Sequence, residues 1–284
     1  MSPVASWHAL GAATLATLPR VPFIVAGRRV GSVATAHLPA LRAFEPLLAV
    51  HDDHVELLAA ARDAAFTHIN NRLREQGLIR AWRDETYPVV DPNMPAPLAP
   101  LARFERAASR FWGTLTFGAH ATGYVAGPDG QPAQLWIARR SFAKATDPGL
   151  YDNLIGGGVP AGQTPDETLV REGFEEAGLR PAQLAGARRG SVLRLARDIA
   201  EGFQHEWLHS YDVELPPGTV PVNQDGEVAA FALLPLDEAL ALAAGPAMTV
   251  DAALVTLDFA LRHRLLDAPE LSACVQTLRV PRMC

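Results

Sequence analysis

Glu172, Glu175 and Glu176 lie three and four residues apart, shortly after a glycine-rich segment. On a helix this spacing places the three carboxylates on one face. Their charges repel one another, and carboxylate oxygens with no His or Cys nearby are ligands for a hard cation such as Mg²⁺ or Mn²⁺, which also bridges to substrate phosphates. The spacing therefore predicts metal-dependent phosphate chemistry. An ordinary solvated helix face is the alternative that composition alone leaves open.

The residues around these glutamates carry the start and stop signals of a helix. Thr164 suits the N-cap, Pro165 suits the first helical position, and Glu167 completes a capping box with Thr164. Gly178 suits the left-handed position that ends a helix, so we predict a helix from Pro165 to about Ala177. The face opposite the glutamates is predicted to pack in the core, through Leu169, Val170, Gly173, Phe174 and Ala177.

The order of these residues resembles the Nudix box, G-x5-E-x7-R-E-U-x-E-E-x-G-U, in which U is an aliphatic residue. Gly157 matches its first position, and the run from Arg171 to Leu179 matches its second half. The resemblance implies a hydrolase of diphosphate linkages with an α/β/α sandwich fold. It also implies that the three glutamates and the backbone carbonyl of Gly157 hold Mg²⁺ or Mn²⁺, and that Arg171 orients a glutamate by a charge-assisted hydrogen bond.

Two positions depart from the box. Gln163 stands where the family has glutamate, which removes one charge from the outer part of the site but none of the helix-face carboxylates. Gly173 replaces an aliphatic residue and costs the helix about 1 kcal/mol relative to Ala. We predict that Gly173 allows the helix to approach a neighbouring strand closely.

Two glutamates are candidates for the general base. One is Glu172; the other is Glu227, which matches a later glutamate that many Nudix enzymes use as a metal ligand or base. Without the resemblance, a glutamate after Asp225 and Gly226 indicates a turn residue.

A cationic segment precedes the box. Arg139, Arg140 and Lys144 lie beside the end of a predicted strand and are expected to hold a diphosphate, although a solubilising turn is the alternative. The wider run, W-x-x-R-R-S-x-x-K-x-x-x-P-G-x-x-D-N, resembles the Nudix domain found alone or fused to thiamine pyrophosphokinase, which carries an N-terminal extension. It also resembles isopentenyl-diphosphate isomerase, but residues 156–158 are glycines where that enzyme needs a cysteine.

Further segments resemble the branch associated with thiamine pyrophosphokinase: 81–87, 105–108, 118–124, 211–216 and 223–228. Members of that branch hydrolyse oxidised forms of thiamine diphosphate to the monophosphate. The resemblance therefore implies thiamine diphosphate or its oxo and oxy derivatives as the substrate. A nucleotide or sugar-nucleotide substrate, and a degenerate module that binds a ligand without cleaving it, stay open as alternatives.

Aromatic side chains are expected to stack on the flat rings of such a substrate. The candidates are Trp82, Tyr87, His120, Phe203, Trp207 and Tyr211. Most buried aromatic residues belong to the core, so we expect one or two of these to contact the ligand.

The pattern of elements predicts an α+β fold without a regular βαβ repeat. A small α/β module is expected before the proline-rich stretch at 88–100. We therefore divide the chain into an N-terminal extension, 1–100, and a Nudix domain, 101–284. The extension is expected to contribute to the substrate pocket. Strands are predicted at 111–126, 134–138, 192–196, 206–215 and 229–234, after a strand pair within 21–33 and a helix within 59–76. Thr249 is expected to cap a long final helix that runs to about Leu266.

The composition limits the classes of partner that the chain is expected to bind. The 284 residues are 49% hydrophobic and 20% charged, with a net charge of −6, which argues against a nucleic-acid binder. The two cysteines form neither a metal motif nor a disulfide framework, so a reducing cytoplasm is expected. No signal peptide or membrane span is predicted. We expect a small-molecule diphosphate as the partner and make no prediction of oligomeric state.

Overall fold

The computed structural model describes residues 6–95 and 98–281. A short helix, α1 (His8–Ala12), precedes a four-stranded sheet of order β2-β1-β4-β3. Its strands are β1 (Arg20–Val25), β2 (Arg28–Ala34), β3 (Leu48–Val50) and β4 (Val55–Leu57). Ala26 and Gly27 both have positive φ angles, 54° and 68°, which suits the tight turn between β1 and β2. The strand pair predicted around Gly27 is confirmed.

Helices α2 (Leu38–Leu41) and α3 (Arg62–Glu75) follow, and strands β5 (Thr86–Val89) and β6 (Ala102–Glu105) form an antiparallel ribbon. The buried cluster of this region continues through helix α4 (Ala108–Trp112), where the Trp112 ring stacks on Phe23 at 4.4 Å between centroids. The Trp112 indole N–H donates to Asn70 Oδ1 at 2.8 Å. We call residues 20–112 the N-terminal unit. The division at residue 100 stays a prediction, and β5 pairs with β6 across it.

The second sheet has seven strands in the order β11-β12-β7-β8-β13, with β10 paired to β7 and β9 paired to β8. Its strands are β7 (Leu115–Ala126), β8 (Pro132–Arg140), β9 (Tyr151–Asp152), β10 (Ile155–Gly158), β11 (Arg188–Ile199), β12 (Gly202–Glu214) and β13 (Val228–Pro235). Strand β12 runs parallel to β7, whereas the other pairings are antiparallel. The sheet is therefore mixed, which agrees with the expectation of an α+β fold without a regular βαβ repeat.

Helices cover both faces of this sheet. One layer contains α5 (Pro165–Ala177) and α6 (Pro181–Leu184), and the other contains α7 (Leu236–Ala244), α8 (Val250–Arg262) and α9 (Pro269–Leu278). Two separate buried clusters lie between the sheet and these layers. Helix α1 packs against α8 and buries Ala9 in that core. The α/β/α sandwich preceded by a small α/β unit is confirmed.

Three local predictions are wrong. The strand predicted from Phe111 begins at Leu115, because α4 is ended by Gly113 at a φ of 57°. The final helix ends at Arg262 instead of Leu266, since Arg264 adopts a φ of 57° and α9 begins afresh at Pro269. Phe174, expected in the core, is 53% exposed. No helix within the described ranges is long and apolar enough to span a membrane.

Candidate active site

Helix α5 spans the residues predicted for it. The Thr164 hydroxyl accepts from the Glu167 N–H, and the Glu167 carboxylate accepts from the Thr164 N–H at 2.7 Å. Gly178 ends the helix at a φ of 66°. These local hydrogen bonds determine where the helix begins and ends, and therefore which residues face the neighbouring strand β10.

Two glycines allow α5 to lie directly on its neighbours. A Cβ atom at Gly173 would come within 2.6 Å of Leu184 and 3.1 Å of Ile155 in β10, so the predicted close approach is present. A Cβ atom at Gly157 in β10 would overlap the carboxyl group of Glu172. The glycine of the strand thus forms the cradle in which the Glu172 carboxylate rests.

We expect Gly157→Ala to lower kcat about 100-fold, because an added methyl group displaces Glu172 and a misplacement of about 1 Å can cost this much in catalysis. Gly157 has no positive φ angle, so the backbone tolerates alanine. The matched control is Gly186→Ala, where a Cβ meets no atom within 4 Å. Steady-state kinetics of both variants checks the prediction, and equal activities would contradict it.

The three helix-face glutamates have different surroundings. Glu176 is only 5% exposed; its Oε2 accepts from the Gly156 N–H at 2.8 Å, and its Oε1 lies 3.6 Å from Lys144 Nζ. Burial raises the pKa of Glu176 to about 8, although Lys144 acts in the opposite direction. Burial also raises the pKa of Glu172, whereas Glu175 is more exposed. Much of the acidic face is therefore buried instead of solvated.

Arg171 holds two of these carboxylates. Its Nη2 lies 2.9 Å from Glu172 Oε1, and its Nη1 donates to Glu175 Oε2 at 2.8 Å. Its Nε donates to Gln163 Oε1 at 3.2 Å. The amide of Gln163 therefore still orients Arg171, although it lacks the charge of the glutamate in the family pattern.

Lys144 and Glu227 form the opposite wall. The Lys144 side chain is 8% exposed and its ammonium group contacts the Glu227 carboxylate as well as Glu176. Burial alone would raise the pKa of Glu227, but the hydrogen bond and charge of Lys144, with the charge of Arg83, hold it below its ordinary value. Glu227 also follows a turn, since its N–H donates to Asp225 Oδ1 at 2.8 Å. The turn brings it to the site.

Arg139 and Arg140 are adjacent on β8 and point in opposite directions. The Arg140 Nη1 donates to Asp152 Oδ2 at 2.7 Å, and its Nη2 donates to the Thr146 carbonyl at 2.9 Å. Arg139 instead lies against the rings of Phe142 and Tyr151, at 5.0 and 5.6 Å from their centroids. The structure brings Arg140 and Lys144 to the site but does not bring Arg139 there.

A cavity of about 580 Å³, which we call the carboxylate cavity, lies beside these groups. Its wall includes Glu172, Gly157, Lys144 and Glu227 from the sandwich. Of the three helix-face glutamates, Glu172 lines the cavity. The N-terminal unit contributes arginines that were not predicted as site residues: Arg80, Arg83, Arg106 and Arg110. Arg83 reaches Glu227 at 3.5 Å, and Arg106 pairs with Glu85 at 2.9 Å. Arg83 and Arg106 lie within the segments 81–87 and 105–108 that resemble the thiamine pyrophosphokinase-associated branch, and this resemblance was a sequence signal for them.

Another part of the cavity wall is a polar network. Gln204 Nε2 donates to Asp251 Oδ2 and to Glu206 Oε2, both at 3.0 Å, and Arg197 Nε donates to Gln204 Oε1 at 2.7 Å. Burial and the charge of Glu206 raise the pKa of Asp251. Burial opposes ionisation of Glu206 as well, but Arg110, at 3.0 Å, leaves its pKa below the ordinary value. Burial therefore disfavours the ionised form of Asp251, whose described side-chain hydrogen bonds come from the Gln204 amide.

The aromatic candidates are dispersed, and His120 is the member of that set which lines the carboxylate cavity. The Tyr87 hydroxyl is buried against Gly158. The Tyr211 hydroxyl donates to Asp166 at 2.6 Å, and the Trp82 indole N–H donates to Asp84 at 2.8 Å. The remaining two, Phe203 and Trp207, line a separate cavity.

Carboxylate oxygens are the type of ligand that a hard divalent cation prefers. Glu172 and Glu176 are buried and have raised pKa values, so a cation would compensate the cost of ionising them. The Glu172 carboxylate rests against Gly157. Within the described ranges, no three Asp, Glu, His or Cys side chains converge as a ready-made metal centre. Arg171 bridges Glu172 and Glu175, while Lys144 contacts Glu176.

An α/β/α sandwich with buried helix-face carboxylates above a glycine strand, beside a cavity with a cationic wall, defines a hydrolase of phosphoric anhydrides. Comparison with known proteins agrees with this class. Residues 116–253 match the model of the NUDIX domain, and residues 12–116 match a domain of unknown function, DUF4743.

Two relatives come from Arabidopsis thaliana. Nudix hydrolase 24, chloroplastic, is 35% identical over 254 residues, which cover 87% of this chain and 68% of that protein. Nudix hydrolase 20, chloroplastic, is 34% identical over 269 residues, which cover 89% of this chain and 70% of that protein. A crystal structure of DR0079 from Deinococcus radiodurans matches 60% of this chain and 97% of its own, at 23% identity and a TM-score of 0.45. The chain belongs to the Nudix hydrolase family, which acts on diphosphate linkages.

Proposed function

We propose that this Nudix hydrolase cleaves its diphosphate substrate in the carboxylate cavity, with Mg²⁺ or Mn²⁺ held by Glu172, Glu175, Glu176 and the Gly157 carbonyl. The observation that carries the proposal is the burial of Glu172 and Glu176 beside the cavity, which makes their ionised forms costly unless a cation compensates the charge. When bound, the ion would neutralise phosphate oxygens and activate water.

The side chains of the cavity have different roles in the proposed reaction. Lys144 and Arg83 present positive charge to the diphosphate oxygens. Water attacks one phosphorus, the bond from that phosphorus to the bridging oxygen breaks, and a carboxylate accepts the proton of the water. Glu172 and Glu227 both line the cavity and are both candidates for that carboxylate. Arg171 is a positioning residue, because it acts through the glutamates it holds.

The substrate we propose is thiamine diphosphate or one of its oxidised oxo and oxy derivatives, which the resemblance to the thiamine pyrophosphokinase-associated branch implies. The network of Gln204, Glu206 and Asp251 supports this substrate class. Among the described residues, the side chain that hydrogen-bonds Asp251 is the neutral amide of Gln204, so Asp251 suits an organic group that is positively charged or rich in N–H donors. Thiamine has both a cationic thiazolium and an aminopyrimidine.

A substrate panel with Mg²⁺ tests the proposal. Thiamine diphosphate, its oxo and oxy derivatives, ADP-ribose, NADH and nucleoside triphosphates are compared by kcat/KM, with products identified by chromatography. The expected result is a preference for the thiamine compounds with release of the monophosphate. A preference for a nucleotide or sugar nucleotide would replace the substrate, and binding without turnover of any compound would favour the degenerate module.

Asp251→Asn is expected to lower kcat/KM for thiamine diphosphate about tenfold, because an amide cannot acquire the negative charge that a cationic organic group at this position would favour. Hydrolysis of ADP-ribose, which lacks that cation, should change much less. Asp237→Asn is the matched control, since Asp237 also lies in the first turn of a helix but is exposed. An equal loss on both substrates would show that Asp251 supports the fold of the site instead of substrate choice.

We also propose that the N-terminal unit shapes the substrate pocket. Arg83→Gln is expected to raise KM about tenfold with little change in kcat, because its guanidinium reaches the cavity without touching the helix-face carboxylates. Arg72→Gln, which removes an exposed arginine paired with Glu75 on α3, is the control. A KM unchanged by Arg83→Gln would contradict the contribution of this unit.

A cytoplasmic site of action and the absence of a nucleic-acid partner belong to the same proposal. The net charge of −6 and the unpaired Cys274 support them. The two plant relatives are named as chloroplast proteins. Imaging of a fluorescent fusion in the native cell distinguishes a cytoplasmic location from an organellar one.

A further inference from the structure

A second cavity, of about 610 Å³, lies across strand β12 from the first. Successive side chains of a strand point to opposite faces. Gln204 and Glu206 accordingly line the carboxylate cavity, whereas Phe203, His205 and Trp207 line the second one. Among residues 6–95 and 98–281, the two cavities share no lining residue. The second cavity is therefore separate from the proposed hydrolytic site, and its volume lies in the range of small-molecule pockets.

Three arginines line this cavity, Arg20, Arg29 and Arg194, and we call it the arginine groove. In the part of the chain that the structure describes, no carboxylate lines it. Arg20 bonds to Ser32 and lies 3.8 Å from Asp198, which belongs to the wall of the other cavity. Within the same described ranges, Arg29 and Arg194 have no ion-pair partner. The groove thus has an excess of positive charge.

The pKa of His205 reflects the same excess of positive charge. Burial and then the charges of Arg194 and Arg29 lower its pKa to about 4, so both guanidinium groups are close to the imidazole. The His205 ring also has a hydrogen bond to the Gly113 backbone, so the guanidinium groups are the donors that remain for an anion. The charge pattern therefore favours a phosphate or a similar anion at this point.

Flat rings lie beside the cationic groups. The Arg20 guanidinium lies over the Phe203 ring, 4.6 Å from its centroid. The Trp207 ring packs edge-on against Phe117 at 5.9 Å, which restricts its rotation. Trp207 is also the cross-strand neighbour of Arg194. A partly exposed indole next to an unpaired guanidinium suits a ligand in which a planar ring is joined to an anion.

We propose that the arginine groove is a second binding site, which takes a small ligand that combines a planar ring with a phosphate group. The guanidinium groups of Arg29 and Arg194 bind the phosphate, and Trp207 stacks on the ring. The site binds without cleaving, because its described lining offers no carboxylate to hold a metal ion or to accept a proton.

Isothermal titration calorimetry of the full chain with adenosine monophosphate, in EDTA, tests the proposal. Adenosine and inorganic phosphate serve as the two halves of the probe. Arg194→Gln and Arg29→Gln, both at exposed positions, are each expected to raise Kd about tenfold. Arg103→Gln removes an exposed arginine elsewhere and is the matched control, while Lys144→Gln reports binding in the carboxylate cavity.

The expected result is binding of adenosine monophosphate that exceeds that of either half, weakens in Arg194→Gln and Arg29→Gln, and persists in Arg103→Gln and Lys144→Gln. Three results would overturn the proposal. They are the absence of binding at millimolar probe, equal binding of inorganic phosphate, and loss of binding in Lys144→Gln but not in Arg194→Gln. Thermal melting of each variant confirms that it is folded.

Discussion

Glu176→Gln is expected to reduce kcat at least about 1,000-fold, because it removes an anionic oxygen from the buried face that would hold the metal ion. Its fold should survive. Burial raises the pKa of Glu176 to about 8, so the carboxylate without a metal is already costly to ionise. A neutral amide avoids that cost, and its oxygen can still accept from the Gly156 N–H. The free energy of unfolding in EDTA should therefore stay unchanged or rise.

Two measurements separate these effects. Steady-state kinetics at saturating Mg²⁺ gives kcat, and thermal melting in EDTA and in Mn²⁺ gives the stability with and without metal. The wild-type protein should gain stability from Mn²⁺ and the variant should gain less. Glu238→Gln, at an exposed position in the first turn of α7, is the control. A Glu176→Gln enzyme with wild-type kcat would refute the assignment of this helix face.

The helix of the site could be predicted from the sequence because its signals are local. Thr164, Glu167 and Gly178 determine its two ends through hydrogen bonds and a φ angle within one turn. The prediction that Phe174 packs in the core was wrong because its exposure is not determined by local signals. Its exposure depends on how far the neighbouring α6 and β10 extend over α5, and helical periodicity carries no information about that.

The wall of the cavity depends on contacts between distant residues. Arg139 and Arg140 have the same chemistry, and alternation along β8 shows only that they point apart. Which of them reaches the cavity depends on the loop whose carbonyls at Thr146 and Asp147 accept from Arg140. Arg83 lies 144 positions before Glu227 and meets it only because the N-terminal unit packs on the sandwich. Such pairs have no local signal.

Lys144→Met is expected to lower kcat/KM about 500-fold, because it removes the positive charge shared by Glu176, Glu227 and the diphosphate. Lys144 is the one lysine in a chain that otherwise uses arginine, and its side chain is 8% exposed. An ammonium group presents a compact point charge that fits between two carboxylates, whereas a planar guanidinium is larger. Lys144→Arg is therefore expected to keep the charge and still lose most of the activity.

Stability distinguishes the structural from the chemical role of this lysine. Lys144→Met leaves Glu227 without its closest cation and should lower the free energy of unfolding by about 2 kcal/mol, less than for a fully buried pair because Glu227 is 39% exposed. Adding Glu227→Gln removes the unpaired charge and should recover about half of that loss. Activity should not recover, since the double variant still lacks the cation for the diphosphate. Recovery of both stability and activity in the double variant would show that Lys144 acts only by neutralising Glu227.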